Sequence, residues 1–386
     1  MNSSNYLGLT ETDLAAAGAL CTAREIAQQP RMLQRTHALV TEMHAQIAAF
    51  IAPLAHDPSA RVILTGAGTS AYIGQCLAPL LDRQLAARVD AVATTDLVSS
   101  PQLYLDAEQP LLLVSFGRSG NSPESLAAVQ LAEARVRNVR HLVVTCNAAG
   151  ALNRTGARHA LTVLLPEETH DESFAMTSSF TCMLFATLQA LSPAGALDAR
   201  IGPLAAATEA VIAEHLPALR TLAASGCDRV VYLGSGLLQG LAREATLKLG
   251  ELTNGAVATC FDSPLGFRHG PKTFVTPQTA VLVFVSNDPL TRQYDRDLID
   301  ELRRDGVAAR IVEITAQPQA AATAYVLAVP GLADATDVDL LFPYAATAQI
   351  FAFYASLAHA ITPDNPNKAG TVNRVVQGVR IHSLAS

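Results

Sequence analysis

Arg61–Gly74, RVILTGAGTSAYIG, reads as a buried strand, a glycine turn and the start of a helix. Arg229–Gly240, RVVYLGSGLLQG, repeats that pattern at an offset of 168 residues. The strands that follow keep step: VLVFVS near 283 and AARIVEIT near 310 answer LLLVSF near 113 and HLVVTC near 143, at offsets of about 170. A constant offset of this size means two copies of one α/β unit rather than one large sheet. In the first copy, strands at Arg61, Val89–Ala93, Leu111, Val139–Thr145 and Ala160–Leu165 alternate with helical stretches. Each copy is therefore expected to be a doubly wound parallel five-stranded sheet flanked by helices. Residues 1–60 read as mostly helical, with a capping signature at Thr10 and a long helix over Met32–Ala55. The expected division is an N-terminal helical arm over 1–40, first and second domains over 41–202 and 203–362, and a tail over 363–386.

Composition narrows the class. Half of the 386 residues are apolar and 16% are charged, as in a compact α/β enzyme. A net charge of −7 argues against general nucleic-acid binding. The six cysteines form no CxxC pair, so neither a zinc site nor a disulfide framework is expected, and no metal is implied. The N-terminus lacks a basic stretch followed by an apolar one, and no run approaches 18 uninterrupted apolar residues. The expectation is a cytoplasmic protein with no membrane and no nucleic-acid partner.

Leu111–Leu126, LLLVSFGRSGNSPESL, runs from a strand into a loop of hydroxyls and glycines and then into a helix. Glycines let the backbone come close, serines donate, and the helix N-terminus adds free N–H groups; together they make an anion cradle. Without a lysine it is not the Walker loop. The same residues also read as an ordinary helix cap, with Ser122 as N-cap and Pro123 as first helical residue. Both readings stand. In the first turn the spacing Gly66, Gly68, Gly74 is not GxGxxG, but Thr69 and Ser70 place two hydroxyls at a helix N-terminus. The second copy has Leu237 and Leu238 there, and its loop, SNDPLTRQYD, has fewer hydroxyls and no glycine.

The second copy brings other chemistry. In GLAREATLKLGELTNGA, Glu244, Lys248 and Glu251 share one helix face. A solvated ion-pair face and a buried catalytic face are both open. The loop from Asp262 to Lys272 carries Arg268, His269 and Lys272 among glycines and prolines, and His269 is a candidate general acid/base. Pro166–Thr181 holds Glu167, Glu168, His170, Asp171 and Glu172, read as an acidic cap for a helix over Phe174–Leu191 in preference to a metal site. A ligand-facing role for Glu172, Thr177 or Ser178 stays open.

The GAGTS turn, the SFGRSGNSPES loop, the E-x3-K-x2-E helix and the RHGPK loop together resemble the sugar isomerase (SIS) domain proteins, over nearly the whole chain after about residue 40. The chain is similar to the isomerase half of glutamine–fructose-6-phosphate aminotransferases, though residue 2 is Asn rather than a nucleophilic Cys. With the tail GTVNRVVQGV it looks like the AgaS group, the galactosamine-6-phosphate deaminase/isomerases, a group also described as tagatose-6-phosphate ketose/aldose isomerases. The resemblance implies that Thr69, Ser70, Ser115, Ser119 and Ser122 hold the sugar phosphate, with Gly68 beside them. It implies that Glu251 moves a proton between C1 and C2 and that His269 opens the ring, reaching in from the other subunit of a homodimer or higher even oligomer. Glu244 and Lys248 would be the supporting charges. Lys368 lies two residues from the position of the family's C-terminal catalytic lysine, which aligns with Gly370, so a covalent sugar adduct is not implied.

The implied activity converts an amino-hexose 6-phosphate to a keto-hexose 6-phosphate and ammonia, without a cofactor. Galactosamine 6-phosphate, giving tagatose 6-phosphate, is the favoured substrate. The rivals are a glucosamine-6-phosphate deaminase, an isomerase of a neutral sugar phosphate, a non-catalytic sugar-phosphate sensor and a nucleotide-dependent oxidoreductase.

Overall fold

The structure, a computed structural model, describes residues 5–318, 325–376 and 378–382. Gln377, in the tail stretch that carries part of the resemblance, lies outside the described residues. A short hairpin of β1 (Asn5–Tyr6) and β2 (Leu9–Thr10) precedes α1 (Glu11–Ala17), α2 (Leu20–Ala27) and α3 (Gln29–Ala55). Thr10 caps α1, its hydroxyl accepting from Asp13 N–H at 3.1 Å. Helix α3 begins ahead of the expected Met32 because Pro30 suits a first turn, where its missing N–H is not needed.

The first α/β block follows as β3 (Arg61–Thr65), α4 (Thr69–Gln84), β4 (Arg88–Ala91), α5 (Thr94–Ser99), β5 (Leu111–Gly117), α6 (Pro123–Arg135), β6 (Val139–Thr145), β7 (Ala160–Leu164) and α7 (Ser178–Ala190). Helices α8 (Ile201–Glu214) and α9 (Leu216–Ala223) divide at His215, where Pro217 opens the next helix. The second block is β8 (Arg229–Gly234), α10 (Leu237–Leu252), β9 (Ala258–Asp262), α11 (Pro264–Phe267), β10 (Thr279–Phe284), α12 (Pro289–Asp305), β11 (Arg310–Thr315), β12 (Val326–Ala328) and α13 (Asp337–Ala358).

Both sheets are parallel and five-stranded, ordered β4-β3-β5-β6-β7 and β9-β8-β10-β11-β12. The order is the same in each, which is the duplication seen in sequence. The chain divides into two compact units. One gathers the chain up to Arg31, Asp171–Thr177 and Arg200–Lys368; the other gathers Met32–His170, Ser178–Ala199 and the chain from Ala369 on.

In the unit built on β3–β7, Ile63, Leu111, Leu113 and Val143 of the sheet bury against Leu97 of α5 and Ala128, Val129 and Ala132 of α6. In the other unit Val231, Val281 and Val283 bury against Phe267 and against Leu298, Ile299 and Leu302 of α12. Its second face is covered by α13, apolar all round as a fully enclosed helix is. Among the described residues two helices, α3 and α13, are long and apolar enough to cross a membrane by length and composition. The apolar window of α13 is 94% buried inside the protein, as expected of a core helix.

Candidate active site

In a doubly wound sheet, ligands meet the crevice at the C-terminal ends of the two strands where the order reverses. For the first sheet these are β3 and β5, so the crevice lies between the GAGTS turn and the serine loop. Gly68, the residue before α4, has φ +56°, a conformation that disfavours any side chain. A Cβ on Gly66 would stand 2.5 Å from Ser70 Cβ, so only glycine lets α4 begin this close to the strand. Gly234 and Gly236 repeat both features after β8. Thr69 and Ser70 are buried in the first turn of α4.

Ser115 pairs with Thr65 across β5 and β3. By strand alternation both sit on the face of Ile63 and Leu113, under α5 and α6. Thr94 opens α5 and donates its N–H to the Gly66 carbonyl at 2.8 Å. The hydroxyl oxygens of Thr65, Thr94 and Ser115 are buried and have no hydrogen-bond partner among the described residues. An unmet buried hydroxyl costs about 1–3 kcal/mol, and a bound acceptor within reach would remove that cost. The sequence pointed to Ser115 only; Thr65 held the same position at the end of its own strand.

Ser119 and Ser122 also serve the loop itself. Ser119 Oγ accepts from Asn121 N–H at 3.3 Å, and Ser122 Oγ accepts from Ser125 N–H at 3.3 Å as the N-cap of α6. The cap reading therefore holds, and the Ser122 hydroxyl is engaged besides, bonding Glu124 Oε2 at 3.2 Å and Ser125 Oγ at 3.1 Å. Asn147 Nδ2 binds the Ser119 carbonyl at 2.8 Å, and Leu152 N–H binds that of Gly120 at 2.7 Å, fixing the loop against the segment after β6. Arg118, a cation among these neutral groups, is buried, and its Nη2 donates to the Arg374 carbonyl at 2.9 Å.

In the other unit, the crevice between β8 and β10 is filled by the protein's own anions. The buried Asp295 carboxylate accepts from Ser235 Oγ at 2.7 Å and from Ser286 N–H at 2.9 Å. The Asp337 carboxylate accepts from Ser286 Oγ at 2.6 Å and Asn287 N–H at 2.7 Å. The donors that would receive a phosphate are taken. Burial, with the Asp337 charge beside it, pushes the Asp295 carboxyl up to about 6.

Helix α10 carries the charged triad on a buried face. Glu244 and Lys248 are 2% and 1% exposed, which removes the solvated-face reading. Lys248 Nζ bonds Glu251 and lies 3.7 Å from Glu244. Glu251 keeps a quarter of its side chain exposed. The buried Lys248 ammonium compensates the buried Glu244 carboxylate, and Glu251, nearer the solvent, bonds the same ammonium. His269 follows α11 and is exposed.

The acidic run has protein partners. Glu168 pairs with Arg35, and Glu172, largely exposed, pairs with Arg24 at 3.5 Å. Glu25 accepts from the N–H groups of Glu172 and Ser173 at 2.6 and 3.0 Å, and Asp171 accepts from Thr177 N–H at 2.7 Å. These bonds hold 171–177 out of helix, so α7 starts at Ser178 rather than at Phe174. Thr177 is fully buried, and its hydroxyl has no partner among the described residues. Ser178 is buried at the start of α7. Lys368 is exposed, one residue beyond Asn367, whose Nδ2 reaches Asn254 Oδ1 at 3.0 Å. Thus Gly68, Thr69, Ser70, Ser115, Ser119, Ser122 and Ser178 belong to one unit. Glu172, Thr177, Glu244, Lys248, Glu251, His269 and Lys368 belong to the other.

Residues 57–193 match the SIS domain. Over 98% of its length the chain is 45% identical to a D-galactosamine-6-phosphate deaminase AgaS of Shewanella sp. strain ANA-3, covering 96% of that protein. The chain belongs to the AgaS family of SIS-domain proteins. The same-named protein of Escherichia coli O157:H7 is 46% identical over 96% of the chain and 98% of its own length. Among solved structures, that of tagatose-6-phosphate ketose/aldose isomerase from Escherichia coli matches with a TM-score of 0.86 at 42% identity, over 95% of this chain and 97% of that one.

Proposed function

We propose that this AgaS-family chain is an enzyme that converts galactosamine 6-phosphate and water to tagatose 6-phosphate and ammonia. The phosphate sits at the β3–β5 crevice, against Thr69, Ser70, Ser115, Ser119 and Ser122, which fixes C1 and C2 for reaction. His269 opens the pyranose. Glu251 then takes the C2 proton, leaving an enolamine, and returns a proton at C1. The resulting C2 ketimine adds water and expels ammonia, so no covalent bond to the chain is needed. Glu244 and Lys248 hold Glu251 in place. The domain containing the hydroxyl cradle (41–202) thus binds, the following one (203–362) reacts, and the tail (363–386) closes the site. The working form is a homodimer or higher even oligomer in the cytoplasm, with His269 supplied by the partner subunit.

The observation that carries this reading is the Glu251 carboxylate, held by the buried Lys248 and still partly open to solvent. Incubation with galactosamine 6-phosphate, glucosamine 6-phosphate and tagatose 6-phosphate, with ammonia and ketose measured separately, tests it. Ammonia released fastest from galactosamine 6-phosphate is expected, and Glu251→Gln is expected to bind substrate without turnover. Near-normal turnover by that variant would rule out the assignment. The second reading is simple aldose–ketose isomerisation, favoured by the name of the solved Escherichia coli relative. It uses the same proton transfer and releases no ammonia.

A further inference from the structure

The loop bearing His269 is gripped on both sides by one carboxylate. Arg268 Nε donates to Glu301 Oε2 at 2.8 Å, and Lys272 Nζ bonds Glu301 Oε1. Lys272 also reaches Asp305, one helical turn further along α12, at 2.5 Å. The loop is anchored before the histidine by Phe267, buried against Leu298, Ile299 and Leu302 of the same helix. His269 N–H donates to the Gly266 carbonyl at 2.9 Å, and beyond it Gly270 takes φ +124°. No hydrogen bond or ion pair of the His269 side chain is present among the described residues. What fixes the imidazole is therefore the path of its backbone, and Glu301 ties that path at positions 268 and 272. Hydrogen bonds from Lys272 and the charge of Arg268 keep the Glu301 carboxyl below its usual range, so it is ionised wherever the enzyme would work.

We propose that Glu301 is a positioning residue for His269, setting where the imidazole stands through the Arg268 and Lys272 flanks. This rests on the reading of His269 as the ring-opening group. Partly exposed ion pairs contribute little to global stability, and Phe267 still packs without them. Loss of Glu301 should therefore leave the chain folded while the loop loses its path.

A double-mutant cycle on the full chain tests this, with ammonia release from galactosamine 6-phosphate and thermal melting recorded for each variant. His269→Asn is expected to lower kcat by about a hundredfold. Glu301→Gln should lower kcat about tenfold with KM within about twofold, and the melting temperature should hold. On the His269→Asn background the same change should cost less than about twofold, and Glu301→Asp should restore part of the loss. An unchanged kcat in Glu301→Gln, or an equal loss on both backgrounds, overturns the proposal. Wild-type kcat in His269→Asn overturns the reading of His269 itself, and the proposal with it. If the double variant is too slow to measure, the rate of His269 acylation by diethyl pyrocarbonate, read by peptide mass spectrometry, decides. A change of about threefold in Glu301→Gln supports displacement of the loop, and an unchanged rate overturns it.

Discussion

Asn367 Nδ2 donates to Asn254 Oδ1 at 3.0 Å, and Asn254 N–H in turn donates to the Glu251 carbonyl at 3.0 Å. The chain leading into Lys368 is therefore tied to the turn that ends the helix of the proposed base. That tie concerns Asn367, and it assigns Lys368 no covalent chemistry. Hydrolysis of a free ketimine needs no lysine, so Lys368→Met is expected to keep kcat/KM within about tenfold of the parent. Borohydride added during turnover should leave the chain at its unmodified mass. A reduced sugar adduct mapped to Lys368 would instead establish an imine to the protein.

Lys248 should be worth far more to stability than its partner Glu251. Removing the ammonium leaves Glu244 buried with its compensating charge gone, a defect of about 3–5 kcal/mol. Glu251→Gln leaves the Lys248–Glu244 pair in place, and the altered side chain has access to water. Urea unfolding should therefore show Lys248→Met strongly destabilised and Glu251→Gln nearly unchanged, while both lose turnover. Equal stabilities would mean that Lys248 is not the keystone of this face.

Which features the sequence disclosed follows from their range. The strand–glycine–helix pattern at Arg61 and Arg229 is local, and buried strands of this kind have few alternatives, so the tandem fold of two parallel five-stranded sheets could be read directly, whereas the order of the strands came from the structure. Ser122 as a cap is equally local. The register of β3 with β5, which brings Thr65 beside Ser115, is a pairing between segments 50 residues apart. The hold of Glu301 on the His269 loop likewise joins distant positions. In the second copy the missing hydroxyls were visible, but their replacement by the Asp295 and Asp337 carboxylates was not, because those residues look like helix-surface acids. The run from Glu167 to Glu172 was ambiguous for the same reason: its partners Arg24, Glu25 and Arg35 come from the N-terminal helices.

Because Asp295 and Asp337 occupy the second crevice, titration calorimetry should find one sugar phosphate bound per chain. Asp295 also sets a pH dependence. Its folded pKa, about 6, stands above the usual value of 3.8, so the folded state binds this proton more tightly than the unfolded state. The sign is then fixed. Stability from this group is fully present below pH 3.8 and is lost as the pH rises through about 6. Between pH 5 and 7.5 it contributes roughly 1 kcal/mol. Asn at this position can still accept from Ser286 N–H and can donate to Ser235 Oγ. Urea melts at the two pH values should show Asp295→Asn losing that part of the slope; an identical slope in both proteins would place the proton elsewhere.

Ser115 and Ser122 separate binding from folding. Ser115 Oγ is buried without a partner among the described residues, so in the free protein it contributes nothing to stability. Ser115→Ala should leave unfolding free energy unchanged or raise it by about 1 kcal/mol. If the hydroxyl donates to the phosphate, the same change raises KM about tenfold, since hydrogen bonds to charged groups are worth roughly 1.5–3 kcal/mol. Ser122 accepts from Ser125 N–H as the N-cap of α6. Ser122→Ala should therefore lower the stability of the substrate-free protein by about 1 kcal/mol. Steady-state KM for galactosamine 6-phosphate, measured beside urea melts, distinguishes the two. A Ser115→Ala protein that is less stable and binds substrate normally would remove Ser115 from the phosphate site.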